Sequence, residues 1–398
     1  MKKLDLQTNQ QLESNIKKLY WINAFGSLQF HLVVFTLFIL AKGFTMQQFF
    51  LIESAYMLVS LLTEIPTGVL ADRTSRKLSL LFGAIIMIPI TFFVIISNNF
   101  WVVLIAMGIG GLGASFVSGT DSAFLYDDLK LLKREKEFKK IRGKMKWFGA
   151  WAGSIAGIVG GVLAMYSLSY PWWAWFFVGF PVLFITMTLK EPPISRTSVL
   201  TESQQFHLKE SLKHSFGREA GFFVLYSAII WLFFSMSFWL WQPYLKLTGL
   251  PLVFFGIFYA VESLVSGYAT KQAHKLEPKI GMRNSLLFAP LILAVAFILQ
   301  SQFIFIFGFL FIFLHSISGG YLIPVMEDYI HTRIPSNRRA TIFSIKNMMT
   351  SLLFAVISPF LGHMVDLWSV QTAFLLMGII LAIVTLIFFI TFRNTNKK

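Results

Sequence analysis

Five of the titratable side chains inside the long apolar stretches of this 398-residue chain are candidates for binding and releasing protons. They are two histidines and three carboxylic acids: His31, His315, Glu53, Asp121 and Glu262. An ionisable side chain at the centre of a membrane helix costs about 2.5–3.5 kcal/mol, so such residues usually mark a water-filled path or an internal pair. Imidazole and carboxyl groups in such surroundings are candidate proton carriers near neutral pH. The five residues are therefore candidates for coupling a process to proton movement.

Uncharged polar and aromatic side chains in the same stretches are candidates for contacting a solute. The candidates are Gln29, Ser235, Trp239, Gln242 and Ser318. Phenylalanine is the commonest aromatic residue, with 44 copies. A cavity with aromatic walls and few charges suits an amphipathic or cationic solute.

Twelve apolar stretches supply the helices that must position these side chains. They run over residues 19–41, 46–70, 78–97, 101–125, 147–166, 172–189, 220–245, 252–271, 284–301, 303–326, 341–362 and 370–392. Each is about 20 residues long, enough to cross the hydrocarbon layer of ~30 Å as a helix. The sequence therefore predicts an all-α membrane protein with twelve transmembrane helices.

The basic residues are strongly asymmetric when these stretches are threaded back and forth across a membrane. All but two of the 34 Lys and Arg residues fall on one side, and the exceptions are Lys42 and Lys246. Basic loops stay in the cytoplasm, so both termini are predicted to be cytoplasmic. We expect a multi-pass protein of the plasma (cytoplasmic or inner) membrane, with anionic lipids as partners on its cytoplasmic side.

Composition excludes several other classes of protein. The chain is 56% hydrophobic and 13% charged, with a mean hydropathy of +0.68, whereas soluble domains carry about 25% charge. The net charge of +15 lies in short loops beside apolar helices, so nucleic acid is not an expected partner. The chain has no cysteine, no P-loop and no metal-binding motif. We expect no enzyme activity, no cofactor, an ion gradient as the energy source, and a monomer.

The chain divides into two similar halves around a central linker. We predict a cytoplasmic segment 1–18, a six-helix bundle 19–189, a cytoplasmic linker 190–219 and a second six-helix bundle 220–398. Segments 5–18 and 203–216 are predicted to form amphipathic helices. Ser118-Gly119 in the fourth stretch matches Ser318-Gly319 in the tenth. Duplicated six-helix units related by pseudo-symmetry are typical of secondary transporters.

The loop after the second stretch carries Gly68-Val-Leu-Ala-Asp72-Arg73-Thr-Ser75-Arg76-Lys77. It resembles the signature loop of the major facilitator superfamily, Gly-x-Leu-Ala-Asp-Arg-x-Gly-Arg-Lys, and departs from it at Ser75. With the twelve stretches and the linker, the resemblance covers essentially the whole chain. Helix five contains many glycines but lacks the glycine-proline pair common in the antiporters, although the fourth stretch resembles bacterial proton-coupled efflux members.

The resemblance implies a charged cytoplasmic latch around this loop. Gly68 would let helix two approach helix eleven, and Asp72 would face the start of helix eleven, beside Arg73. Arg76 would pair with an acid at the end of helix four. The complete implied set is Gly68, Asp72, Arg73, Arg76, either Asp127 or Asp128, Arg142, and the C-terminal counterparts Glu327, Asp328 and Arg339.

These observations together predict a secondary active transporter that works by alternating access on a small-molecule substrate. We expect proton-coupled export of a small amphipathic compound, through a cavity lined by helices one, four, seven and ten. One alternative is an importer of a polar nutrient or metal chelate. An alternative of a different class is a transport-inactive membrane receptor or assembly partner.

Overall fold

The structure, a computed structural model, describes residues 6–193, 218–333 and 339–395. Within those ranges every regular element is helical. Most of the predicted linker 190–219, including the amphipathic helix at 203–216, lies outside the described residues, as do residues 1–5.

Among the described residues, the first half of the chain contains eight α-helices, two pairs of which form single broken spans. They are α1 Leu6–Gly26, α2 Phe35–Ala41, α3 Met46–Arg73, α4 Arg76–Ile96, α5 Phe100–Val117, α6 Thr120–Leu131, α7 Phe138–Tyr166 and α8 Tyr170–Met187. The second half contains α9 Arg218–Leu247, α10 Val253–Ile280, α11 Met282–Gln302, α12 Leu310–Arg333, α13 Arg339–Leu367 and α14 Val370–Thr395. Short 3₁₀ helices cover Phe30–Val34, Glu135–Glu137 and Ile306–Phe309.

Within the described ranges, twelve helical stretches are long and apolar enough to cross a membrane. They coincide with the twelve predicted spans, so the predicted number is confirmed. The boundary of the first span differs from the prediction, because α1 runs unbroken through the segment expected to be a separate surface helix. Its residues Leu12, Ile16 and Leu19 are buried. Ile16 and Leu19 pack into an apolar cluster with Phe124, and this burial holds the segment against the bundle.

The first span is broken in its middle. After Gly26 the chain leaves the α-helix and continues as a 3₁₀ helix over Phe30–Val34 before α2 begins. Broken membrane helices are tolerated where protein buries the freed backbone groups. Here α7 provides that cover, because a Cβ atom at Gly160 would lie 2.1 Å from the Phe30 carbonyl oxygen. The glycines of α7 therefore allow direct backbone contact with the broken segment.

The fourth span is also broken, at Ser118-Gly119 between α5 and α6. Gly119 has φ +72°, in the left-handed region that glycine adopts without strain. The matching pair in the second half, Ser318-Gly319, lies within the continuous helix α12. The sequence similarity between the halves at this pair therefore does not extend to local backbone structure.

The described residues form two compact units. The first unit comprises residues 6–44, 51–193 and 252–257. The second comprises residues 45–50, 218–251, 258–333 and 339–395. The first turns of α3 and α10 thus belong to units other than the remainder of their helices.

Both first turns pack closely in the units that contain them. In the first unit, a Cβ at Gly256 would lie 2.0 Å from the Gly157 carbonyl oxygen. In the second unit, Asp366 at the end of α13 accepts hydrogen bonds from the backbone amides of Met46, 2.7 Å, and Gln47, 2.8 Å. A carboxylate at the positive end of a helix dipole is stabilising. Asp366 thereby caps α3.

Lys42, one of the two basic residues on the predicted outer side, serves a similar purpose. Its ammonium group donates to the carbonyls of Ile95, 2.7 Å, and Ser97, 2.9 Å, at the end of α4. A cation at the negative end of a helix dipole is favourable. Partial burial lowers the pKa of Lys42 from its usual value.

The contact between α7 and the broken first span yields a stability prediction. Gly160→Ala should destabilise the protein by about 1–3 kcal/mol, because the added methyl group overlaps the Phe30 carbonyl. Gly143→Ala is the matched control on the same helix, since a Cβ there meets no heavy atom within 4 Å among the described residues. The control should be neutral or stabilising by up to about 1 kcal/mol. Thermal unfolding in detergent measures both, and equal midpoints would contradict the tight packing at Gly160.

Candidate functional site

Glu262 lies on α10 in the second unit and is held by a serine of α12. The Ser316 hydroxyl lies 2.9 Å from Glu262 Oε1 and 3.1 Å from the Ile312 carbonyl. A hydroxyl has one proton to donate and can also accept. It can therefore donate to an ionised Glu262, or accept from a protonated Glu262 while donating to Ile312. Ser316 can satisfy both protonation states of this carboxyl.

His315 precedes Ser316 and bonds to α9. Its Nε2 lies 2.8 Å from the Ser237 hydroxyl, which also donates to the Phe234 carbonyl at 3.0 Å. When Ser237 donates its one proton to Phe234, it accepts from His315 Nε2–H. Nδ1 of His315 is then an acceptor, and it is buried with no hydrogen-bond partner among the described residues. Trp241 Nε1 on α9 is likewise a buried donor with no hydrogen-bond partner among the described residues.

These groups line one small cavity in the second unit. Its volume is about 20 Å³, room for about one water molecule. Glu262, His315 and Gln300 supply the polar groups of its wall, while Trp241 and Phe258 supply aromatic faces. Of the five predicted proton-coupling residues, Glu262 and His315 are brought together by the structure. Ser237, rather than the predicted Ser235, contributes the hydroxyl of α9.

A larger cavity of about 270 Å³ lies elsewhere in the same unit. Its wall includes Trp231 and Phe234 of α9, Glu327 of α12 and Lys346 of α13. Lys346 is only 8% exposed, and its ammonium group lies 3.9 Å from Glu327 Oε1. The cavity thus combines two aromatic faces with one loosely paired ion pair.

The ring of Phe234 separates the groups of the two cavities. It lines the larger cavity and packs edge-on against His315 of the smaller one, with ring centroids 4.7 Å apart. A Cβ at Gly319 would lie 2.9 Å from this ring. Gly319 therefore provides the space that the ring occupies.

The other predicted cavity residues of the second unit have different surroundings. The Ser235 hydroxyl donates to Trp231 of its own helix, 2.9 Å. Trp239 packs edge-on against Phe49, 5.5 Å between centroids. Gln242 is fully buried. Ser318 donates to the backbone of Ala289 on α11, 2.6 Å, so it joins two helices instead of facing the small cavity.

In the first unit, His31 lies within the broken span among aromatic rings. Its ring centroid is 4.4 Å from that of Trp172 and 5.4 Å from that of Trp175. His31 Nδ1 and Trp172 Nε1 are both buried without a partner among the described residues. Gln29 is exposed at the break, and Glu53 on α3 is 5% exposed.

The loop between α3 and α4 forms the charge cluster that the sequence predicted. Arg76 Nη2 lies 3.1 Å from Asp72 Oδ1, and Arg76 Nη1 bonds to Asp127 Oδ2 and to the Ala123 carbonyl. The partner of Arg76 is thus Asp127. Asp128 is fully buried instead and accepts from Asn15 Nδ2 at 3.4 Å.

Comparison with known proteins identifies the family of this chain. The family model of the Major Facilitator Superfamily matches residues 19–308 and 279–398. The chain belongs to the major facilitator superfamily. Its members are transporters, so this chain is a membrane transporter and not an enzyme. Among curated proteins, no relative of the sequence was found.

Solved transporters share its fold. A variant of the nucleoside transporter NupG superposes with a TM-score of 0.80 at 14% identity, covering 96% of this chain and all of that one (100%). A bacterial homologue of the human lysosomal transporter Spinster gives 0.70 at 16% identity, covering 96% of this chain and 95% of its own. A POT family transporter gives 0.64 at 12% identity, covering 97% and 96%. These likenesses confirm the twelve-helix fold with two pseudo-symmetric six-helix bundles.

Ser75, the departure from the superfamily signature, has a local explanation. It adopts an extended conformation, φ −155°, that does not require glycine, and its hydroxyl accepts from the Leu78 amide as the N-cap of α4. Glu191 completes the cap by accepting from Ser75 Oγ, 2.6 Å, and from the amides of Arg76, 3.1 Å, and Lys77, 2.9 Å. Sequence reasoning missed Glu191, which stands beside two prolines at the start of the predicted linker.

Asp121 lies in an ion pair. Its Oδ2 is 2.6 Å from Arg142 Nη1, and both side chains are about three-quarters buried. Arg142 was expected to join the pair between Arg76 and Asp127, and it contacts Asp121 instead. The structure therefore gives Asp121 a cationic partner on α7, and its role as a proton carrier stays a prediction.

The remaining predicted latch residues are more dispersed. A Cβ at Gly68 would meet no heavy atom within 4 Å among the described residues. The close approach implied for this glycine stays a prediction. Arg73, Glu327 and Asp328 are exposed. Arg339 starts α13 and is half-buried.

A double-mutant cycle tests the pair between Asp121 and Arg142. Asp121→Asn and Arg142→Gln should show a coupling energy of about 0.5–3 kcal/mol, because each change leaves the other charge partly buried. The control cycle is Arg134 with Glu137, where the side chains are 35% and 42% exposed and about 0–1 kcal/mol is expected. Unfolding by sodium dodecyl sulfate measures both cycles. Additive effects at Asp121 and Arg142 would contradict a structural ion pair.

Proposed function

We propose that this transporter exports a small amphipathic compound in exchange for protons, by alternating access. The observation that carries the proposal is the shared cavity of Glu262 and His315. Two titratable groups line a single small space, and Phe238, Trp241 and Phe258 form half of its remaining wall. An ionised carboxyl tolerates such a place poorly and a neutral one tolerates it well, so binding of a proton there changes which conformation is preferred.

Glu262 is the proton carrier in this mechanism, and Ser316 is its positioning residue. Because the Ser316 hydroxyl can reach both Glu262 and the Ile312 carbonyl, neither protonation state leaves a buried polar atom unpaired. His315 lines the same cavity and has a buried Nδ1 without a partner among the described residues, so we assign it the role of a relay for the proton.

The larger cavity is the proposed position of the solute. Its volume of about 270 Å³ lies just below the range of about 300–1,000 Å³ typical of small-molecule sites, which favours a small compound. Trp231 and Phe234 offer faces for an apolar ring, and Glu327 with Lys346 offers polar ends. Nucleosides combine both characters, and the likeness to a nucleoside transporter makes them the first compounds to test.

The exchange of solute for protons follows because one ring, that of Phe234, separates the two cavities. If the solute displaces Phe234 toward His315, it disturbs the proton site, so solute and proton occupy the protein in turn. Mutual exclusion of this kind is a coupling free energy between two sites, and it drives the solute opposite to the proton.

Two alternatives stay open to experiment. An importer of a polar nutrient or metal chelate would accumulate its solute in right-side-out vesicles, whereas the proposed exporter accumulates it in everted vesicles with an acidic lumen. A transport-inactive receptor would show no flux in either preparation. The monomeric state, the plasma-membrane location, the cytoplasmic termini and an ion gradient as energy source remain predictions.

The first prediction concerns the carboxyl at position 262. Glu262→Gln should abolish solute accumulation driven by a pH gradient in everted vesicles, because an amide cannot exchange a proton. Counterflow of labelled solute without a gradient should survive, because the amide keeps the hydrogen bond with Ser316. Glu64→Gln is the control, since Glu64 is an exposed acid of α3, and it should behave like the wild type. Normal gradient-driven accumulation by Glu262→Gln would contradict the assignment of Glu262 as the proton carrier.

The second prediction concerns the ring between the cavities. Phe234→Ala should join the two spaces and allow protons to leak through reconstituted protein without solute, measured with a pH-sensitive dye inside the vesicles. Phe233→Ala removes the same ring from the neighbouring buried position, which packs against Phe297, and should not leak. Equal leaks from the two variants would show that Phe234 is not the barrier.

A further inference from the structure

A long apolar groove lies on the second unit between α10, α11 and α12. Its volume is about 560 Å³, twice that of the proposed solute cavity. On α10 it runs from Val261 to Ile280, about 28 Å along the helix axis. One leaflet is half of a hydrocarbon layer of ~30 Å, so the groove exceeds the length of one leaflet.

The groove offers contacts for hydrocarbon and almost none for a polar solute. Leu264, Phe288 and Ile292 are exposed along it. Three of its hydroxyl groups are already paired, Ser285 with Tyr321 and Ser318 with a backbone carbonyl, which leaves Tyr268 and Gln272 as its other polar side chains. A polar solute would therefore lose hydrogen bonds to water without replacement, whereas an acyl chain has none to lose.

A stripe of positive charge borders the end of the groove that the charge asymmetry places in the cytoplasm. Lys271, Lys275 and Lys279 are exposed at four-residue intervals on α10. Each follows a groove residue by three positions, namely Tyr268, Gln272 and Leu276. Residues three apart are neighbours on a helix surface. The lysines therefore stand beside the groove.

We propose that this groove is a specific site for one anionic phospholipid, with an acyl chain along α10 and the phosphate on the lysine stripe. The apolar walls select a lipid chain, and the stripe selects a negative headgroup, since each basic residue near an anionic surface adds to binding. This site is separate from the solute cavity and does not depend on the direction of transport.

Native mass spectrometry of the purified full-length protein tests the site. Palmitoyl-oleoyl phosphatidylglycerol should remain bound in preference to phosphatidylcholine with the same chains. Lys271→Gln, Lys275→Gln and Lys279→Gln should each weaken retention of phosphatidylglycerol roughly fivefold and leave phosphatidylcholine unchanged. Gln272→Trp, which fills the groove, should reduce retention of both lipids. Glycerol phosphate should not compete, because it lacks the chain.

A charge-matched control separates this site from general attraction to the basic face. Lys139→Gln, Lys140→Gln and Lys144→Gln remove three exposed lysines from α7 in the first unit and should leave lipid retention unchanged. Thermal unfolding confirms that each variant is folded. Equal loss of phosphatidylglycerol in the two sets would overturn the proposal, as would equal retention of the two lipids by the wild type. Loss of transport in Gln272→Trp with lipid retention intact would also overturn it, and would assign the groove to solute entry.

Discussion

The cost of placing polar groups in hydrocarbon governs this structure. Charged and hydrogen-bonding atoms inside an apolar span need partners, and the fold supplies them across distant parts of the sequence. Ser316 serves Glu262, Arg142 serves Asp121, and Asp366 serves the free amides that begin α3. Helix ends, breaks and buried acids thus determine where the helices meet, while apolar side chains supply most of the remaining contacts between them.

The few polar atoms without such partners are equally informative. His315 Nδ1 and Trp241 Nε1 lack partners among the described residues and lie at one cavity. His31 Nδ1 and Trp172 Nε1 form a similar combination in the first unit. Each unit therefore carries a histidine Nδ1 and a tryptophan Nε1 without partners among the described residues, although the two sets come from different helices of the repeat.

Sequence patterns predicted the elements well and their contacts unevenly. The twelve spans follow from length and hydropathy. Arg76 could be expected to meet an acid at the end of the fourth span, on α6, because the loop after the second span resembles the signature loop of the superfamily. The choice between Asp127 and Asp128 depended on which side of α6 faces α4. Asp366 and Glu191 could not be found, because their partners lie 320 and about 115 residues away and most of those partners are backbone amides. The break after Gly26 was hidden by a run of apolar residues that also suits an α-helix.

That break changes how the first span must be mapped. A 3₁₀ helix turns about 120° per residue, against about 100° in an α-helix. Residues 27–29 are not helical and Phe30–Val34 form a 3₁₀ helix, so the angular register of α1 is lost before α2 begins. A helical wheel drawn across the whole span would therefore assign α2 to the wrong azimuth. Any scanning experiment on this span consequently has two independent angular origins, one before residue 27 and one after residue 34.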